Sequence, residues 1–430
     1  MLSASEIPDN RRSREIGRLD GTSRSKDTLI PMPQLAADEI PELLARLVDK
    51  SLVQVDADGR FDVLQTVRLF AQQELLQVEG GTITRIRHLE HYHHTCRTWA
   101  DQIYGPNQLE INELFKLEAE NLRLAVEWAA VNSGLWTMGA EMVVDAYFPH
   151  LIRGAPSEGQ SLSSLALDNA PPDEQAALAA VWAVDSHFSR HLRSPKALDA
   201  CDRAIELGQR TRSLFATYLG MYNKATIWIG EGKTSQGLDL MARALEGVKQ
   251  DSGNRARFFE YQMLMVLGSM AVINGELEKA RGYFEECQRL CELLQGPGPF
   301  ALLNINLGLL SNRLGDLKGA YRHLRDSLAP LLALNDLRSV AGSTANSACG
   351  FFVAGDYGMA ATVLGCGYGI WERSRMVPEL VDSVMADQWR SRLIEEMGED
   401  AFQVAFERGK TISAKDMVAI ILANPEPWTI

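Results

Sequence analysis

Between Ala176 and Arg375 the apolar and polar positions recur in one order: a small residue, three positions, an apolar residue or Cys, two positions, another small residue. The copies are Ala197/Cys201/Ala204, Gly237/Met241/Ala244, Ala280/Phe284/Cys287, Ala320/Leu324/Ser327 and Ala360/Leu364/Gly367, whose first members lie 40, 43, 40 and 40 positions apart. A period of that size over five copies predicts a stacked array of helical repeats. Four copies are preceded by a turn signal, at Gly232-Lys233, Gly275-Glu276, Gly315-Asp316 and Gly355-Asp356. A further small residue stands seven positions before each of those Gly residues, at Ala225, Gly268, Gly308 and Ala348. The spacing predicts two antiparallel helices per unit, joined at the Gly. Small residues let the backbones approach, and Leu, Phe or Met one turn later fills the space beside them. The first unit departs from this order: its turn reads Leu192-Arg193-Ser194-Pro195, and Asp185 is expected at the small position.

Upstream the pattern changes. Ile40, Leu43, Leu44, Leu47 and Val48 fall on one helical face, with Pro41 tolerated near the helix start. Leu52 to Val55 and Arg60 to Leu64 flank Asp58-Gly59, a short hairpin signal. A second helix carries Val67, Leu69, Phe70, Leu75 and Leu76 and stops at Gly80-Gly81. Residues from Ile83 to Pro156 read as helical, and the Pro, Ser, Gly and Asp of Gly154 to Pro172 read as a joint before the repeats. After the array, helices are expected over Pro378 to Met397 and Ala401 to Arg408, with Gly409 as a stop and Ser413-x-x-Asp416 as a capping box. The organisation is therefore a disordered leader (1–34), a helix-hairpin-helix segment (35–80), a helical linker (81–172), repeats (173–375) and a C-terminal helical cap (376–430).

Composition narrows the function. With 430 residues, 46% hydrophobic and 23% charged, the chain fits an ordinary globular protein of two or three domains. No apolar run approaches the length of a membrane span, and the polar start lacks a secretory signal, so a cytoplasmic location is expected. Six scattered Cys suit free thiols in a reducing compartment. A net charge of −13 argues against a broad nucleic-acid surface. In the leader, Arg11, Arg12, Arg14, Arg18, Arg24 and Lys26 are nearly balanced by Glu6, Asp9, Glu15, Asp20 and Asp27, which marks a solvated tail.

Candidate chemistry is sparse. His88, His91, His93 and His94 crowd one segment near Cys96, and His187 and His191 stand one turn apart. A metal needs three or four converging ligands, and neither group supplies them in sequence. Gly232-Lys233-Thr234 imitates a phosphate loop, yet Ile227 occupies the place of the required upstream Gly. Cys287 and Cys291 fall one turn apart at packing positions. No nucleophile motif or carboxylate pair stands out, so neither an enzyme nor a cofactor is expected. Function must then come from a surface. Counting ten residues back from each turn gives a column of Trp182, Tyr222, Met265, Ile305 and Ala345, with Leu309, Arg313 and Phe352 in adjacent rows. Such a column suits a concave groove for an apolar or amphipathic segment or a small ligand. The alternative is that a tightly wound array buries it against itself or the linker helices.

Several of these stretches resemble a known family. The Leu267-Gly268 and Leu307-Gly308 pairs with the repeat pattern are similar to tetratricopeptide repeats, in a form longer than the usual period of about 34 residues. Leu47-Val48-Asp49-Lys50-Ser51-Leu52-Val53 and Phe61-Asp62-Val63-Leu64-Gln65-Thr66-Val67-Arg68-Leu69-Phe70-Ala71 resemble the winged-helix segment of LuxR-type and AfsR-like predicted ATPases of the STAND class. Arg87-His88, Glu118 to Arg123 and Trp128 are similar to the helical linker of that family, and the array to its MalT-like region. Gly398 to Phe402 and Gly409 to Ser413 resemble how such chains end, so the likeness spans roughly residues 40 to 424. It implies a mainly α fold: a partial winged helix with a β-hairpin, then a right-handed tetratricopeptide-like superhelix. Neither the P-loop module of the family nor its DNA-reading helix-turn-helix is seen. The expectation is a non-enzymatic regulatory or adaptor protein, the sensor arm of a transcriptional regulator whose ATPase module is supplied in trans. Its partner would be a protein or small-molecule effector. Readings also open are a DNA-binding regulator that uses the winged-helix segment and a degenerate fragment of a STAND ATPase.

Overall fold

The computed structural model describes residues 30–31, 38–57, 59–75, 77–152, 154–374, 376, 378 and 380–429. The leader therefore lies outside the described residues except for Ile30–Pro31, and so does Asp58 of the hairpin turn. Two compact units divide the chain, Met1–Tyr92 and His93–Ile430.

In the first unit, helix α1 (Glu39–Asp49) leads into a hairpin of β2 (Val53–Val55) and β3 (Phe61–Val63), paired antiparallel with Gln54 opposite Asp62. Gly59 closes the turn with φ +80°, a left-handed conformation open to Gly without a Cβ clash. Helix α2 (Gln65–Leu75) follows. Contrary to the expectation of an unstructured leader up to residue 34, Ile30–Pro31 form a short strand, β1, parallel to β4 (Val78–Glu79). Helix α3 (Gly81–Gln102) runs from this unit into the next.

The second unit is entirely helical among its described residues. Helices α4 (Gln108–Ala130), α5 (Trp136–Ile152) and α6 (Pro156–Asp168) precede the repeats. Helix α6 replaces the expected joint: Pro156 sits at its first turn, where no backbone N–H is needed. Leu162 and Ala166 supply a buried stripe, and Gly159 lets the Phe188 ring approach. Five hairpins follow in order: α7 (Gln175–His191) with α8 (Ala197–Thr211), α9 (Leu214–Gly230) with α10 (Thr234–Val248), α11 (Asn254–Ile273) with α12 (Leu277–Leu294), α13 (Pro297–Arg313) with α14 (Leu317–Ala333), and α15 (Leu337–Asn346) plus α16 (Ala348–Val353) with α17 (Tyr357–Arg373). Within each hairpin the two helices pack on one another, and each second helix packs on the first helix of the next unit.

The turns explain the repeat. Gly232, Gly275, Gly315 and Gly355 all have φ between +78° and +83°. In each, the Gly N–H donates to the carbonyl three residues back, and the following N–H to the carbonyl five back, as in Lys233 to Trp228 at 2.9 Å and Asp356 to Phe351 at 3.0 Å. This satisfies the last carbonyls of the helix. Asp316 and Asp356 then cap the next helix, accepting from the N–H of Gly319 at 2.8 Å and of Met359 at 2.9 Å. A Gly-Asp pair thus stops one helix and starts another. The small positions work as the pattern requires: a Cβ on Gly268 would run into the Phe284 ring, and one on Gly367 would fall 2.5 Å from Ala345 Cβ.

The first unit turns out to follow the same order with its register moved by one. Arg193 takes the left-handed conformation at φ +53°, and its N–H donates to Arg190 O while that of Ser194 donates to Ser189 O at 2.8 Å. Arg193 is the counterpart of the four Gly residues. Seven positions back stands Ser186, a small residue, so Asp185 does not fill the small position. Asp185 instead accepts the hydroxyl proton of Ser163 of α6 at 2.6 Å.

Helices α18 (Leu380–Met397), α19 (Glu399–Lys410) and α20 (Ala414–Ala423), with a final 3-10 turn at Pro427–Thr429, pack around α14 to α17. Ser413 caps α20, accepting from the Asp416 N–H at 3.2 Å and donating to its carboxylate at 2.7 Å. Gly409 is no helix stop. It lies inside α19 against the Thr362 carbonyl, where a Cβ would find no room.

Candidate binding surface of the repeats

The first helices of the hairpins lie side by side, α7 on α9, α9 on α11 and α11 on α13, and form one layer. Polar side chains lock neighbours together. Asn223 Nδ2 of α9 donates to Ser186 Oγ of α7 at 2.9 Å. One interval along, Ser269 of α11 bonds Asn306 of α13. Asn223, Asn306 and Asn346 each stand nine residues before the left-handed turn residue of their unit, so this polar row is part of the repeat.

The sequence-derived column and its adjacent rows are covered to very different degrees. Tyr222 and Met265 are 6% exposed and Leu309 2%, while Ala345 is fully buried. Ile305 and Phe352 are half-buried and Arg313 is exposed. Phe352 is roofed by the C-terminal helix α18, with Trp389 at 5.4 Å and the Arg392 guanidinium at 4.5 Å from its ring. With the register set by Arg193, the first member of the column is the buried Ala183. Trp182, half-buried, falls one position off it. Tyr222 packs on His187 at 6.1 Å and Phe259 at 6.2 Å, and Tyr147 of α5 reaches in to touch His187 and Phe259. The linker helices hold the layer elsewhere too. Gly298 N–H of α13 donates to Gln108 Oε1 of α4 at 2.8 Å, and Arg255 lies 3.8 Å from Asp145 and over the Phe215 ring at 4.4 Å. Much of the large apolar column is therefore interior packing.

No protein-family model and no curated protein sequence matches the chain. Among solved structures it is similar to a signal transduction ATPase with numerous domains (STAND) protein with a tetratricopeptide repeat sensor from Pyrococcus horikoshii, at 12% identity and a TM-score of 0.42. The alignment covers 90% of this chain and 58% of that one.

What the layer does expose lies at the end of α7, a place the sequence reading had weighed only for metal. Arg190, half-buried, sends Nε to Asn223 Oδ1 at 3.2 Å and Nη2 to His191 Nε2 at 2.9 Å, with its guanidinium 5.7 Å from the centre of the Tyr222 ring. His187 and His191 lie 5.0 Å apart. Burial holds both imidazoles well below their ordinary pKa, and Arg190 lowers them further. Arg338 of α15 adds to the effect on His191. Part of the signal for Arg190 was present in the sequence: Asn recurs nine residues before the turn in three of the five units, and one of these, Asn223, is the residue that meets Arg190.

The other candidates separate. His93 Nε2 meets Glu141 at 2.6 Å, whereas the Tyr92 ring is met at a tilt by His88 and edge-on by His91. Among the described residues no group of three or more His, Cys, Asp or Glu converges as a metal site, and no helix is long and apolar enough to cross a membrane. Lys233 of the phosphate-loop imitation pairs with Glu231 at 2.8 Å in its helix-helix turn. All six Cys are free and buried, and burial pushes the Cys291 thiol up to about 12, far from a reactive thiolate. Between α9–α10 and α11–α12 there is a second concavity of about 630 Å³, where Met221, Leu245 and Leu267 meet Arg243, Gln250 and Tyr283.

Proposed function

We propose that the chain is a non-enzymatic sensor and interaction module of a signalling regulator, whose repeats bind an effector or partner on their inward layer. The observation that carries this reading is the layer itself: the first helices of successive hairpins packed side by side, with Arg190, Ile305 and Arg338 only partly covered. Nothing in this arrangement is suited to bond breaking. The thiols are buried, and the His pair is kept neutral beside a cation. The resemblance of Leu47 to Val53 and Phe61 to Ala71 to regulators of the LuxR and AfsR type favours a cytoplasmic transcriptional role. Direct DNA binding by the helix-hairpin-helix segment is less favoured, since Arg46 pairs with Glu42 and Arg68 with Asp62.

The test is quantitative affinity capture from a cell extract. Species held by the wild type are expected to be lost with Ile305→Ser and kept with Lys279→Glu on the outer helix α12, the melting curves of all three being compared. An unchanged set with folded Ile305→Ser overturns the reading. In a gel-shift titration, nanomolar and salt-sensitive binding of random duplex would put DNA recognition in its place.

A further inference from the structure

We propose that the end of α7 forms an anion-binding subsite, with the Arg190 guanidinium as its fork and His187, His191 and Arg338 around it, which takes the carboxylate or phosphate group of a small effector. This rests on the effector-binding reading above and names the chemistry the effector must bring.

Three observations support it. First, Arg190 hydrogen-bonds only to neutral groups, Asn223 Oδ1 and His191 Nε2, and among the described residues no carboxylate pairs with it. A half-buried guanidinium is usually matched by an anion, because its planar fork suits two acceptor oxygens and its desolvation needs compensation. Here the fork is already oriented: Asn223 holds Nε and is itself fixed by Ser186, and the Tyr222 ring supports the cation from below. Nη1 has no partner among the described residues.

Second, His187 is 7% exposed, yet its Nδ1 finds no hydrogen-bond partner. The ring lies between His191 at 5.0 Å and Tyr222 at 6.1 Å, inside the same cluster. A buried ring nitrogen left unpaired carries an uncompensated desolvation cost, which a ligand oxygen relieves in the tautomer that places the proton on Nδ1. Third, Arg190 brings positive charge to both imidazoles. The groups that act on His191 are Arg190, His187 and Arg338, with no carboxylate among them, although the whole chain carries a net charge of −13. A cationic fork beside two imidazoles favours an anion over a neutral or cationic ligand of the same size.

The experiment uses the full chain and two probes, inorganic phosphate and succinate, in calorimetric titrations at constant ionic strength with chloride as the counter-anion. At least one probe is expected to bind saturably, and the two arms tell a phosphate from a carboxylate preference. Arg190→Met should weaken that binding about tenfold or more, and Arg190→Lys should weaken it less, as for a lost charge-assisted hydrogen bond. Ser161→Ala on the exposed face of α6 should leave it unchanged. If neither probe binds the wild type, or if a folded Arg190→Met binds as tightly, the subsite is refuted. Should anion binding depend on Arg190 while Ile305→Ser leaves capture unchanged, the subsite stands and the effector-capture reading fails. Capture that needs Ile305, with no anion bound at all, is the reverse.

Discussion

Helices α1 and α11 both carry an apolar face, yet α1 has no buried residue while Phe258, Phe259, Leu264 and Met265 of α11 are nearly sealed from water. The contrast extends to α2, where Leu69 is 56% and Phe70 62% exposed, against Phe284 of α12 at 2%. An amphipathic stripe is a demand for a neighbour and no guarantee of one. In the array, every helix has a neighbour on both sides because the next copy of the pattern supplies it, and burial follows from repetition.

The sharpest way to break this comparison is to truncate one aromatic in each region. Phe284→Ala should lower the unfolding free energy of the repeats by about 3–5 kcal/mol, from lost burial plus the cavity left behind. Phe70→Ser should change stability by no more than about 0.5 kcal/mol, as at an exposed site. Urea titration followed by circular dichroism reads both, and a large loss for Phe70→Ser would mean that α2 is covered in solution. Next in size is the close packing of the last repeat under its cap. Gly409→Ala, forced against the Thr362 carbonyl, should cost about 1–3 kcal/mol. Gly282→Ala in α12 meets nothing within 4 Å and should stabilise by about 1 kcal/mol through helix propensity alone.

A smaller and more specific effect concerns the turns. Gly275→Ala places a Cβ at φ +79° and should cost about 1 kcal/mol, whereas Arg193→Gly should gain a similar amount, since Arg193 already bears that strain at φ +53°. Equal effects at the two sites would separate the first unit from the others. The least effect expected is in the dependence on pH. His187 and His191 have folded pKa values depressed below their unfolded ones, so the unfolded chain takes up protons first as pH falls. Stability should be complete above the ordinary imidazole range near 6.5 and decline as pH drops through it and below. His187→Asn should flatten that decline, measured as urea midpoints at pH 7.5 and pH 5.5.

The architecture was legible because it is periodic: Gly232, Gly275, Gly315 and Gly355 mark the turns, and Gly268 and Gly308 mark the close approaches. Helix α6 was not, because Pro156 and Gly159 read as loop formers until Phe188 is seen to occupy the space over Gly159. Gly409 misled in the same manner, its backbone freedom being irrelevant beside its lack of a side chain. The candidate surface was harder still. A column counted from Leu192 instead of Arg193 slips by one residue, which exchanges Trp182 for Ala183. Tyr222, Met265 and Leu309 were expected in a groove, but whether a large apolar side chain meets ligand or a neighbouring helix depends on how tightly the array curls, and no local pattern encodes that.

The shared turn geometry also has a consequence for editing the chain. Because Gly275-Glu276 and Gly315-Asp316 end and begin helices in the same manner, excising the segment 276–315 joins compatible ends and leaves the remaining helices pointing as before, in a shorter spiral. Removing only one helix of a pair would instead reverse the direction of everything downstream. The molecule can therefore gain or lose length only in whole steps, and the separation of Arg190 from Arg338 depends on how many rungs lie between them.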